Sequence, residues 1–269
     1  MAPQPMIQSF VYSLPMWLLA VGLLSACLGF VVLCVSIVHR RGWALDPEDV
    51  GTATALHAFV SVLYAVALAL IVVNVQSEFS AVEEASLAEA SKVSDLYRNL
   101  DGLEGPDRAR LQAEASHYID LVIEKEWPAA NRGERSEETI MAADYLARHI
   151  IQLHPTSADA QVVQQALLTD VDDVLDARRK RIFLGQTSMS PIMWLIIVAG
   201  AIITIGFASL FPMRHAGRQI VILSMAAIMF GMMIFLVVAM DMPLRGEFSV
   251  QPDAFRMVKA NIARLQREK

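Results

Sequence analysis

An all-α membrane fold, with four transmembrane helices and a helical extramembrane bundle inserted between the second and third, is what the sequence predicts. Three observations carry that expectation. The 269-residue chain is 55% hydrophobic and only 19% charged, with a mean hydropathy of +0.44, a balance soluble domains of this length rarely reach. Four stretches without Asp, Glu, Lys or Arg are each long enough to cross the ~30 Å hydrocarbon core of a bilayer. Between the second and third lies a long polar stretch whose apolar residues recur at helical spacing, without strand-like alternation.

The first span runs from about Leu14 to Val38 and ends at His39-Arg40-Arg41. The second runs from about Thr52 to Val75, the third from Pro191 to Phe211, and the fourth from Ile220 to Met240. The leading MAPQPMIQSFVYSLP has no basic side chain, and the apolar run after it is too long for a cleaved signal peptide, so the first span is expected to be retained. Pro191 suits a helix start and Pro212 a helix end. Small residues at four-residue spacing (Ser25/Gly29, Ala65/Ala69, Gly200/Thr204/Ala208, Ala227/Gly231) would let helix backbones approach closely. The expected organisation is a first helix pair over 12–76, an extramembrane domain over 77–190, a second pair over 191–241 and an amphipathic tail over 242–269.

Within the insertion, SEFSAVEEASLAEASKVSDLYRNL contains no helix breaker, so the second span should continue as one long helix to Gly102, with Gly102 and Gly105-Pro106 making the turn. The next helix carries Leu111, Ala115, Tyr118 and Val122 on one face and is expected to stop at Trp127-Pro128. Another should begin near Ser136 and end at His154-Pro155. A last one, capped by Thr156 or Ser157, carries Val163, Leu167, Val171 and Val174 before the basic run ARRKR. The tail from Asp253 reads as an amphipathic helix with Phe255, Val258, Ile262 and Leu265 on one side, expected to dock onto the acidic bundle rather than lie on headgroups.

Charge and motif content exclude several classes of function. A net charge of −6, with no continuous basic surface, argues against a nucleic-acid partner. There is no G-x-S-x-G, phosphate loop or dinucleotide fingerprint, so an enzyme is not expected. No cofactor or metal is expected either: His149 and His154 are five apart, off a shared helix face. Cys27 and Cys34 lie about 10 Å apart along one helix, too far for a disulfide. The methionines of the fourth span read as adaptable packing. Four spans put both termini and the bundle on one side. The short loops hold Arg40, Arg41, Arg214 and Arg218, so the positive-inside rule places them in the cytoplasm of a bacterial inner (plasma) membrane and the bundle outside it.

The candidate functional residues lie on the second span. Thr54, His57, Ser61 and Tyr64 fall within an arc of roughly 80° on a helix, Leu68, Ile71 and Val75 continue the stripe, and Glu78 lies near it at the exit. Lipid offers an imidazole no partner, so this stripe should face protein or a water-filled cavity. Two readings follow. The stripe could be an interhelical seam, with His57 neutral and hydrogen-bonded. It could instead line a conduit, with a polar vestibule at His57 and Ser61 and an apolar collar at Leu68, Ile71 and Val75 that gates by dewetting. Asp241, at the end of the fourth span, reads as half of an Asp–Arg pair with Arg245 or as part of an ion-attracting ring at a pore mouth.

Five stretches of this chain resemble the bestrophin-like domain family of bacterial and plastid membrane proteins. They are VLYAVALALIVV in the second span, EASKVSDLYRNLDGLEGPDRARL after it, YIDLVIEKEWPA around Trp127, DARRKRI before the third span, and DMPLRGEFSVQPDAF after the fourth. The resemblance implies a distant relation to bestrophins, homo-oligomeric anion channels whose second membrane helix lines the pore with a hydrophobic neck. Leu68, Ile71 and Val75 would then lie near a neck. It also implies a cytoplasmic soluble portion, opposite to the charge bias. Within the bundle, Glu89, Tyr97, Tyr118, Glu126 and Trp127 match the family pattern, with a role in holding the bundle together. The chain lacks an acidic cluster matching a calcium clasp, and has Asn74-Val75-Gln76 where family members often carry a tryptophan.

Two function classes emerge. One is a homo-oligomer that conducts small ions, anions above all, along the second span. The other is a non-conducting membrane scaffold or sensor whose helical domain binds a ligand or partner. In both, the lipid bilayer is a partner.

Overall fold

The computed structural model describes residues 15–267. The expected first-span start at Leu14, and position 12, lie outside them. Every regular element among the described residues is helical, and these residues divide into two compact units, one of 15–77 with 188–241 and the other of 78–187 with 242–267.

The first unit holds the apolar spans. Helix α1 (Met16–Arg41) begins after Pro15 and ends in a left-handed Gly42, φ 64°, whose N–H bonds the Val38 carbonyl. Arg40 and Arg41 sit in its last turn, where cations complement the helix dipole. Helix α2 (Val50–Asn99) runs uninterrupted from this unit into the other. Helix α7 (Pro191–Ser209) starts on its proline, as expected, and α8 (Ala216–Met240) follows a short loop. At 19 residues, α7 measures about 29 Å, close to the hydrocarbon thickness.

Helices α1 and α8 meet through Val31, Val35 and Ala227, with Ile205 of α7 in the same cluster. Only some of the small-residue pairs build this packing. Gly231 lets α1 approach, because a Cβ there would come within 2.8 Å of Leu24. Gly200 accommodates the Tyr64 ring. Ser25, Gly29, Ala65 and Ala69 are exposed, so their spacing marks no contact within the chain.

In the second unit, α2 ends at Asn99 and a 3₁₀ turn, Leu100–Gly102, completes the run to the expected breaker. Gly105, at φ 72°, turns the chain into α3 (Pro106–Leu121). The helix does not stop at Trp127-Pro128. A π-turn over Val122–Glu126 leads into α4 (Trp127–Asn131). Proline has no N–H and its ring collides with the carbonyl four residues back; the wider turn removes that collision and lets the chain continue. Helix α5 (Glu137–Ile151) is capped by the Ser136 hydroxyl, which accepts from the Thr139 N–H at 3.3 Å. It ends three residues before His154, whose position before Pro155 disfavours helical geometry. The Gln164 side chain donates to the freed carbonyls of Leu153, at 2.8 Å, and Ile150, at 3.3 Å.

Helix α6 (Ala158–Gly185), capped by Ser157, runs straight through the ARRKR segment. Helix α9 (Asp253–Arg267) lays Phe255, Val258 and Ile262 into the core formed with Leu96, Tyr118 and Leu167. Lys259 pairs with Asp120 at 2.6 Å, and Gln266 donates to the Tyr97 hydroxyl at 3.0 Å. Leu265, assigned to the apolar side, is 43% exposed in the last turn of the helix.

Candidate functional site

The α2 stripe is the face of that helix with the deepest burial in the first unit. Tyr64, Leu68 and Val75 are buried, His57, Ser61 and Ile71 half-buried, and Thr54 is exposed with its hydroxyl donating to the Val50 carbonyl at 2.7 Å. Glu78 is half-buried and falls in the other unit.

What covers the stripe is the chain itself. The Tyr64 hydroxyl donates to the Ile197 carbonyl at 2.8 Å, and its ring lies 5.4 Å from that of Phe230. Leu68 and Val75 join Ile197, Ala201, Ile234 and Val237 of α7 and α8 in one apolar cluster. His57 sits between polar and aromatic neighbours. Its Nε2 lies 3.4 Å from the Ser61 Oγ, and the edges of Phe207 and Phe211 approach at centroid distances of 5.1 and 5.7 Å. The buried Nδ1 has no partner among the described residues. A seam between α2 and the α7–α8 pair is therefore what the single chain presents at Tyr64, Leu68 and Val75.

The opposite face of α2 is uncovered. Leu56, Phe59, Leu63, Val66, Leu70 and Val73, at alternating three- and four-residue steps, are all more than half exposed. Asp241 is only 3% exposed, and its Oδ1 accepts from the Met189 N–H at 2.6 Å, so this carboxylate ties the entry of α7 to the end of α8.

Gly200 offers a direct check on the seam. A methyl at this position would overlap the Tyr64 ring, forcing that ring off its rotamer and away from the Ile197 carbonyl. Gly200→Ala is expected to cost about 1–3 kcal/mol, read as a lowered melting temperature in detergent. Unchanged melting would remove the seam as a stabilising contact.

The second unit centres on four buried charges. Glu89 on α2 accepts from Arg181 Nε at 2.6 Å and from the Tyr118 hydroxyl at 2.6 Å. Glu126 in the π-turn accepts from Arg181 at 2.5 Å and also pairs with Arg178. The Arg181 guanidinium lies 4.6 Å from the Trp127 ring centroid and 5.8 Å from that of Phe255, and Trp127 Nε1 donates to the Val250 carbonyl at 2.7 Å. One cation on α6 thus joins α2, the π-turn, α4 and α9, and Glu89 brings in α3 through Tyr118. Burial pushes the Arg178 and Arg181 guanidinium groups toward neutrality, but the carboxylates outweigh it and both shift upward. Burial first, then the charges of Glu89 and Glu126, hold the Tyr118 phenol well above its ordinary value, so it stays protonated and donates.

Arg178 and Arg181 went unrecognised at the sequence level because ARRKR reads as a membrane-flanking charge run. The available signal was spacing: Leu167, Val171, Val174, Arg178 and Arg181 form one buried stripe at steps of four, three, four and three. His149 has an unforeseen partner too, with Nδ1 2.9 Å from Glu114 on the neighbouring helix. No group of three or more potential metal ligands occurs among the described residues.

Among the described residues, four helices are long and apolar enough to cross a bilayer, the pattern of a multi-pass membrane protein. The family model of the bestrophin-like domain matches residues 22–255, and the chain belongs to that family. Solved structures agree at the level of the fold. A crystal structure of a membrane protein with a proline-to-alanine substitution is similar with a TM-score of 0.65 at 12% identity, covering 91% of this chain and 98% of its own. A bacterial bestrophin homologue from Klebsiella pneumoniae, with a leucine-to-threonine substitution, is similar with a TM-score of 0.62 at 12% identity, covering 92% and 98%. A version with an isoleucine-to-threonine substitution gives 0.62 and 12%, covering 91% and 99%. Comparison with curated protein sequences returned no match.

Proposed function

We propose that this protein is a homo-oligomeric ion channel, anion-preferring, in which the second membrane helix lines a central axis. Membership of the bestrophin-like family over residues 22–255 carries the reading. The uncovered apolar face of α2, from Leu56 to Val73, supports it as a surface available to neighbouring copies and to an axial lumen. In this arrangement the lumen belongs to that face. Tyr64, Leu68 and Val75 brace α2 from behind, and His57 and Ser61 sit in the same brace near Phe207. An axial conduit along the original stripe, from Thr54 through Ile71 and Val75 to Glu78, would need α7 and α8 to part from α2, and an Asp241 ring would need that buried carboxylate released from Met189. Purified protein in mild detergent should run as a closed oligomer, and liposomes holding it should pass current with a reversal potential that follows the chloride gradient. A strict monomer, or silence under every voltage and pH applied, would move the protein to the scaffold or sensor class.

The bacterial plasma membrane is the proposed location, with Arg40, Arg41, Arg214 and Arg218 in the cytoplasm. A C-terminal alkaline phosphatase fusion should then be active. An inactive phosphatase together with a fluorescent cytoplasmic reporter at the same terminus would reverse the orientation.

A further inference from the structure

We propose that a cavity in the membrane unit, between the loop that follows α1 and the loop that joins α7 to α8, binds the phosphate of an anionic phospholipid headgroup through Arg214 and His39. The cavity has a volume of about 370 Å³, with Val38, Phe211 and Met213 among its apolar walls and His39 and Arg214 as its titratable lining. That volume falls in the range of about 300–1,000 Å³ typical of small-ligand sites.

Its position matches a headgroup. The apolar run of α1 ends at Val38, immediately before His39, Arg40 and Arg41, and that of the third span ends at Phe211, immediately before the loop holding Arg214. Both mark the depth where hydrocarbon gives way to headgroups. Trp43, 56% exposed beneath the Arg41 guanidinium at 5.1 Å, is the type of aromatic residue that lies at this boundary.

The walls are fixed in advance. The Leu45 N–H donates to the Leu210 carbonyl at 2.9 Å, joining the two loops. Buried Gln219 donates to the carbonyls of Ser209 at 2.9 Å and Phe211 at 3.1 Å. On the other side, Gly42 adopts its left-handed turn and the Trp43 N–H closes on the Val38 carbonyl at 3.1 Å. Cavity walls held this way lose little freedom when a ligand enters.

The donors suit a phosphodiester. Arg214 carries no ion pair among the described residues, and its planar fork is free to hold two phosphate oxygens. His39 places Nδ1 3.2 Å from the Val35 carbonyl, which orients Nε2 to accept from a headgroup hydroxyl or, when protonated, to donate to phosphate. Asp46, Glu48 and Asp49 follow on the first loop but do not line the cavity. A free inorganic anion would use the charge alone. A lipid also gains from the apolar walls, and within a leaflet its supply is continuous.

Native mass spectrometry of the full chain in detergent, titrated with phosphatidylglycerol and with phosphatidylcholine of the same acyl chains, tests the assignment. Phosphatidylglycerol is expected to be retained about tenfold better: both lipids carry the phosphodiester, but choline sets a fixed cation beside Arg214 and offers His39 no hydroxyl. Arg214→Gln should erase that preference, His39→Gln should reduce it, and Arg218→Gln, outside the cavity, should leave it intact. Equal retention of the two lipids by the unaltered protein, or a preference surviving both the Arg214 and His39 substitutions in folded protein, would overturn the site. Displacement of phosphatidylglycerol by millimolar inorganic phosphate would reassign it to a soluble anion and overturn the lipid assignment. The readout needs no current, so its failure is distinct from failure of the channel reading.

Discussion

Replacing Arg181 by methionine should lower the melting temperature of the detergent-solubilised protein by roughly 10 °C, equivalent to about 3–5 kcal/mol. The size follows from what the substitution leaves behind. Arg181 is 1% exposed and pairs with both Glu89 and Glu126. Without it, Glu89 remains buried with only the Tyr118 hydroxyl donating to it among its described partners, and Arg178 is left as the cation for Glu126. An uncompensated buried carboxylate is far more costly than a paired one, whereas removing both charges together is close to neutral. Adding Glu89→Gln to Arg181→Met should therefore return part of the lost stability, and the double-mutant cycle measures the coupling. If the single variant melts within about 1 °C of the unaltered protein, a difference inside ordinary mutational noise, the four-charge cluster is not what holds the bundle.

The same cluster sets a pH dependence. Burial by itself raises the Glu126 carboxyl, but the charges of Arg181 and then Arg178 outweigh it, leaving the group below its ordinary value of 4.5. A carboxylate with a depressed folded-state value contributes stability that is complete above its unfolded value and lost as pH falls through the folded one. The bundle should thus melt at a constant temperature from neutrality to about pH 5 and weaken below that, with a shallower acid limb in Glu126→Gln.

Much of this architecture was legible because its physical causes are local. Uncharged runs mark the spans, the absence of a breaker from Ser77 to Asn99 allows one long α2, and Ser136 and Ser157 announce helix starts. Pro128 misled because a straight α-helix cannot hold it, while a π-turn five residues long can. Arg178 and Arg181 were hidden by their chemistry: five charges in seven residues read as solvated surface, and only the continued four–three spacing pointed inward. For α2, His57 indicates which face avoids lipid, but not what covers it. Gly200 and the Ile197 carbonyl lie more than a hundred residues away in sequence, and no local pattern announces that they meet Tyr64.

Truncating the uncovered face of α2 should change conduction, and truncating its covered face should change stability. In the proposed oligomer, Phe59, Leu63, Val66 and Leu70 present an apolar wall to the axis, and an apolar constriction resists permeation by excluding water. Leu63→Ala and Leu70→Ala widen that wall and should raise single-channel conductance severalfold in liposomes, with little change in melting, since both side chains are more than 60% exposed in the single chain. Leu68→Ala opens a cavity among Ile197, Ala201 and Val237 and should cost about 2–5 kcal/mol. The folded fraction should conduct as before. The two sets of substitutions lie on one helix and differ by only a few residues in position, so lipid composition, reconstitution yield and voltage range are shared between them. Larger currents from Leu68→Ala, with Leu63→Ala and Leu70→Ala silent or unaltered, would put the permeation path along the His57 stripe and require α7 and α8 to swing away from it. The proposed axis would then be wrong even if the protein conducts.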